Sequence, residues 1–158
     1  MALLTALLTP GAVSAQSATV SASATIVTPL VVSGTAPLAF GVVYQGVAKT
    51  IRYDDATSGR LSLSGFGTSQ VALTFTLPTT LSNGAATMPI NNYRVRMNAT
   101  SDATGATRIV VTSGVPVTRN LVGGSLFVFI GGRVQPAAAQ AGGSYTAPIV
   151  LAAAYTGL

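Results

Sequence analysis

Three features of the chain predict a single all-β domain, an antiparallel β-sandwich with an N-terminal extension strand. Residues 17–26 alternate strictly between hydroxyl and apolar side chains, as a half-buried strand does when successive side chains point to opposite faces. Further short alternating runs recur at roughly 8–12-residue spacing with Gly, Asn and Pro between them. No window carries a 3.6-residue period of useful length. A length of 158 residues suits one domain with a real core.

The elements follow in chain order. Ala2 to Leu8 form an apolar run broken at Pro10-Gly11, and Val13-Ser14-Ala15 puts small residues where a signal peptidase cuts. Residues 1–15 therefore read as a signal peptide, although no Lys or Arg precedes the run, and residues 16–158 read as the domain. The run is too short to span a membrane, which takes about 20 apolar residues. From Gln16 to Ala48 there is no charge. In the extension strand, residues 17–27, Ala18, Val20, Ala22, Ala24 and Ile26 share one face, and Ser17, Thr19, Ser21, Ser23 and Thr25 the other. The alanines would suit a helix, but the β-branched residues and hydroxyls weaken one.

Leu38 to Tyr44 and Lys49 to Tyr53 read as strands around a Gln45-Gly46 turn, and residues 54–59 as a loop. Arg60 to Phe66 and Gln70 to Leu77 alternate on either side of Gly65-Phe66-Gly67; Pro78 stops the second, and Ser82-Asn83-Gly84 marks a bend. Tyr93, Val95 and Met97 face one way and Arg94, Arg96 and Asn98 the other. Arg108 to Thr112 is a strand, and Gly123-Gly124 breaks the chain before Ser125 to Ile130. After a loop at 136–143, Ser144 to Tyr155 closes the domain, with Tyr145, Ile149, Leu151, Ala153 and Tyr155 on one face.

Composition narrows the chemistry. Charged residues are 7% of the chain, against about 25% in a typical soluble domain, so Ser, Thr, Asn, Gln and Gly must dominate the surface. That suits a protein outside the cytoplasm, exported to the cell surface, or one covered by copies of itself. The net charge of +5 comes from Lys and Arg scattered along the sequence, whereas nucleic-acid footprints cluster, so no nucleic-acid partner is expected. The chain has no Cys and no His, and Asp54, Asp55 and Asp102 are its only acids. A Ser–His–Asp arrangement is impossible, no phosphate-loop motif occurs, and the neighbouring Asp54 and Asp55 read as a solvated loop with too few oxygens for calcium. Lys49 has no motif around it, and Asn98-Ala99-Thr100 is a glycosylation-type triplet of a kind common by chance. The expectation is a protein without catalytic site, cofactor or metal. Arg94 and Arg96 share a strand face that could touch an acidic surface.

Three stretches carry a resemblance. Residues 24–30 lead to Pro37-Leu38-Ala39-Phe40-Gly41; Phe75-Thr76-Leu77-Pro78 follows; and Ile130-Gly131-Gly132-Arg133-Val134 precedes Gly142-Gly143-Ser144-Tyr145-Thr146 and a strand ending in Tyr155. Together these span nearly all of residues 16–158. The chain resembles an exported bacterial family of unknown function akin to spore-coat-U-like and archaic chaperone–usher pilins. The resemblance implies an incomplete Ig-like, pilin-like sandwich completed by a neighbour's N-terminal extension, hence a homopolymeric fibre (a fimbrium) with a periplasmic chaperone and an outer-membrane usher as partners. Two departures stand out: such pilins often carry a disulfide, and Pro148 falls inside the closing strand. The alternative expectation is a self-complemented monomeric surface adhesin or matrix-binding module.

Overall fold

The computed structural model describes residues 16–157; the expected signal segment 1–15 lies outside them. Ten strands form two antiparallel sheets with no helix among the described residues. They are β1 (Val31–Ala36), β2 (Lys49–Ile51), β3 (Gly59–Ser64), β4 (Gln70–Thr76), β5 (Thr80–Asn83), β6 (Ala86–Asn98), β7 (Thr107–Ile109), β8 (Pro116–Asn120), β9 (Ser125–Val134) and β10 (Val150–Gly157). The large sheet runs β1-β3-β9-β6-β5, with β2 on β9 beyond the end of β3 and β7 on β6 beyond the end of β5. The small sheet is β10-β4-β8.

The sheets pack face to face, as the sequence predicts. Val71, Leu73 and Phe75 of β4 and Leu151 of β10 meet Leu63 of β3, Val95 and Met97 of β6, and Val128 and Ile130 of β9 in one buried cluster. Each side chain of this size, taken from water, contributes roughly 1.5–3 kcal/mol. A second cluster, with Phe40, Ile51, Leu81, Met88, Ile90 and Val134, fills the end of the sandwich where β9 finishes. We call this the lower end. The Gly65–Gly67 and Val122–Gly124 turns, joined by the Gly65 N–H donating to Gly124 O (2.8 Å), form the upper end.

Long β6 serves both clusters by changing parity. Met88 and Ile90 point inward at even positions, then Val95 and Met97 at odd ones. The pairing with β9 slips between Asn91 and Arg94, and Asn92 sits there at φ 50°. One extra residue in a strand reverses the face of everything beyond it, and Asn tolerates the left-handed backbone of such a bulge.

Several expectations need correction. Leu38 to Tyr44 is not a strand: Pro37 and Gly41 (φ 61°) bend it, and among the described residues only its Ala39 N–H reaches a neighbouring backbone, at Thr57 O (2.9 Å). Strands β1 and β8 stand where the sequence showed no alternation. The closing strand begins at Val150, so Tyr145, Pro148 and Ile149 precede it. Residues 17–27 form no strand, and among the described residues no sheet edge pairs with them; Val20 is 95% and Ile26 92% exposed.

Candidate functional site

At one side β1 ends the large sheet and β10 ends the small one, and there the two strands approach within 8 Å between Cα atoms. Both are edges, and no ladder joins them. Below their approach opens an apolar groove of about 730 Å³, walled by residues 37–43 on one side and residues 141–147 on the other. Leu81, Met88 and Ile90 form its floor. A smaller hollow of about 390 Å³ continues it upward between Gly34–Leu38 and Ile149. Pro37, Leu38, Ala147 and Ile149 line both, so the two hollows adjoin along the unpaired edges.

The wall at 141–147 is held by side chains. The Gln140 amide donates to Thr87 O (3.1 Å) and to Tyr145 Oη (2.7 Å), and Tyr145 Oη donates to Ala141 O (2.8 Å). Thr146 exchanges two backbone hydrogen bonds with Ser82, at 2.9 and 3.0 Å. The opposite wall is tied by the Gly46 N–H to Ala137 O (3.0 Å) and by Gln45 to Gln140 O (2.6 Å). The groove is thus a formed cleft between braced walls.

The predicted closing-strand residues divide between these features. Leu151, Ala153 and Tyr155 face the core from β10, Ile149 lies at the junction of the two hollows, and Tyr145 lines the lower groove. The Tyr155 hydroxyl accepts from the Phe66 N–H (2.7 Å) and donates to Thr28 O (2.9 Å). With Leu30 packed on the main cluster, this pins the root of the extension to the upper end of the fold. Before the pin in the chain, Ala18, Val20, Ala22, Ala24 and Ile26 are all exposed.

A row of charged residues lies elsewhere, on the outer face of the large sheet. Arg60, Phe129, Arg96 and Arg108 lie in one row across β3, β9, β6 and β7. The Arg96 guanidinium stacks 4.3 Å from the Tyr53 ring centroid and donates to Ala106 O (2.8 Å), so it braces loops; Arg94 is exposed. Asp54 and Asp55 lie in a loop, as the sequence predicts. They occupy a turn around Arg52, whose guanidinium pairs with Asp54 (3.0 Å) and whose backbone N–H donates to Asp55 Oδ2 (2.6 Å). That hydrogen-bonded pairing holds the Asp54 carboxyl below the usual carboxylate range. Asp102 is lowered too, chiefly by the Thr104 N–H it accepts (2.9 Å).

Sequence reasoning missed that Asp54 and Asp102, far apart in the chain, line one hollow of about 330 Å³ with Arg60. Nothing local signals it, because the β2–β3 and β6–β7 connections meet only through sheet pairing. Lys49 Nζ donates to Val42 O (3.0 Å), and the Asn98 amide donates to Asp102 O (2.8 Å) and Thr104 O (3.1 Å). Both side chains are committed to holding loops. No helix among the described residues is long and apolar enough to cross a membrane. No protein-family model matches the chain, and no curated protein sequence matches it either.

Proposed function

We propose that the chain is an exported structural subunit of an extracellular fibre, assembled when residues 17–27 of one copy add as a strand to the open edge of the next. One observation carries the reading: an uncharged, strictly alternating segment leaves the fold exposed, while the same fold keeps an unpaired edge at β10 beside an apolar groove. Bare, uncharged strands are association hazards unless something covers them. Strand addition covers both at once, with backbone hydrogen bonds for affinity and alternate side chains for register.

The dimensions agree. At about 3.3 Å per residue, Ala18 to Ile26 spans about 30 Å, comparable with the 8 residues of β10. Burial of Val20 and Ile26 contributes roughly 1.5–3 kcal/mol each, and each ladder bond about 0.5–1.5 kcal/mol net.

Polarity favours a second copy over self-insertion. The root is pinned at the upper end, beside the last residues of β10. A segment folding back onto the β10 edge of its own domain would run parallel to β10, after reversing at Thr28-Pro29. Tight hairpin reversals want positive φ, which Pro29 cannot adopt. The stronger antiparallel pairing with β10 needs the root to leave at the lower end, which only a neighbouring copy supplies.

The test is size-exclusion chromatography and negative-stain microscopy of the full chain beside a deletion of residues 17–27 and the double substitution Val20→Asp, Ile26→Asp. Filaments from the native chain, lost in both variants, are expected. A native chain that stays monomeric, and whose denaturation midpoint falls on deletion, overturns the fibre in favour of a self-complemented surface adhesin.

A further inference from the structure

Two clusters of exposed apolar side chains lie at opposite ends of the sandwich, and neither belongs to the groove floor or to the extension. At the lower end, the connection between residues 41 and 48 presents Val42, Tyr44 and Val47, which are 73%, 71% and 57% exposed. This loop is well braced: besides its ties to Ala137 and Gln140, the Val47 N–H donates to Tyr44 O (3.1 Å) and Lys49 Nζ to Val42 O (3.0 Å). At the upper end, Phe66 (41% exposed) and Val122 (57%) top two turns cross-tied by the Gly124 N–H to Gly67 O (2.6 Å). Both ends hold apolar side chains outward on backbone fixed by hydrogen bonds.

We infer that these ends form a second subunit interface, in which the Phe66–Val122 cap of one copy docks on the Val42–Tyr44–Val47 tip of the next. The inference rests on strand addition antiparallel to β10. In that geometry residue 26 of the incoming segment lies at the lower end of the acceptor groove, beside Val42, which is itself a lining residue. Only residue 27 then separates the inserted strand from Thr28, which Tyr155 pins beside Phe66. The short connection forces the donor's upper end against the acceptor's lower end. Each copy carries both halves on opposite ends, so the contact is heterologous and propagates without closing. It also explains how a one-residue tether yields a directed fibre, since the end-to-end contact limits rotation about the tether.

Cysteine cross-linking tests the contact without background, because the native chain has no Cys. The two ends lie at opposite poles of one domain, beyond the roughly 7 Å Cα separation a disulfide tolerates, so any bond must join two copies. Two double variants of the full chain, Tyr44→Cys with Val122→Cys and Val47→Cys with Phe66→Cys, are oxidised after assembly. A ladder of multimers on a non-reducing denaturing gel from at least one pair, with no species beyond dimer from any single-Cys variant, is expected. In parallel, Tyr44→Asp with Val47→Asp raises the critical concentration for filaments by at least about tenfold while the monomer's thermal midpoint stays in place, as befits exposed positions. Filaments without a ladder from either pair, or with an unchanged critical concentration, overturn this interface and leave strand addition standing. A native chain that forms no filaments overturns both.

Discussion

Tyr93 joins the two core clusters of the sandwich, and its hydroxyl donates to Pro78 O at 2.7 Å. Burial disfavours the phenolate, so its pKa is pushed up from 10.0 to about 12. The sign follows from linkage. The unfolded chain loses this proton first, so the stabilisation from a neutral Tyr93 is complete below pH 10 and is lost as pH rises from 10 towards about 12. Urea titrations between roughly pH 8 and 11.5 should therefore show Tyr93→Phe less stable than native at the low end, by about 1 kcal/mol for the lost hydrogen bond. The deficit should narrow or invert as pH rises. A deficit that stays constant with pH would mean that the folded protein does not hold the phenol neutral.

Among elements, β9 is the centre of the large sheet, and its Gly131 decides how closely β2 and the residues after it can approach. A Cβ at Gly131 would meet Ile51 O at 2.6 Å, Tyr53 N at 2.8 Å and the Arg52 carbonyl carbon at 2.9 Å, all backbone. At Gly34, in edge strand β1, a Cβ would meet nothing within 4 Å. Gly131→Ala should cost about 1–3 kcal/mol through overpacking. Gly34→Ala should be neutral or stabilising by up to about 1 kcal/mol, because it removes unfolded-state freedom. Thermal midpoints of the two variants check the contrast, and equal midpoints would mean that β2 shifts freely on β9. The same strands show what the sequence makes legible. Strands β3, β4 and the second half of β6 are half-buried, so period-two alternation marks them directly. Edge strands β1 and β8 expose most residues on both faces, so nothing in them alternates. The bulge at Asn92 breaks β6 into two short patterns of opposite parity, and the first of them was not readable as a strand. Residues 17–27 alternate as cleanly as any element, yet no strand among the described residues pairs with them. Alternation reports that a face is to be buried; it carries no information about the molecule that buries it. The groove was illegible for a related reason, since its walls come from residues 37–43 and 141–147, brought together only by the pairing of β5, β6 and β9.

At the scale of the whole molecule, charge and assembly pull in opposite directions. Each copy carries +5, the inserted segment carries no charge, and the chain's three acids are gathered on the outer face of the large sheet, two of them around Arg52. Neither proposed interface contains an ion pair: the groove floor, residues 17–27 and the exposed apolar ends contribute apolar and backbone contacts. Copies approaching one another therefore gain nothing from Coulomb attraction and must overcome repulsion between like net charges. Salt screens that repulsion, the Debye length falling from about 30 Å at 0.01 M to about 8 Å at 0.15 M, while apolar burial and ladder hydrogen bonds are nearly indifferent to it over this range. The critical concentration for filaments, read by sedimentation of the full chain, should accordingly fall as salt rises through this range. It should fall again near pH 10, as the pI of about 10.3 is approached and net charge is lost. An interface built on the Arg60–Arg96–Arg108 row against acidic groups would behave the opposite way, weakening as salt screens its attraction. A critical concentration that climbs with salt would move the subunit contact from the groove and the two apolar ends to the outer face of the large sheet.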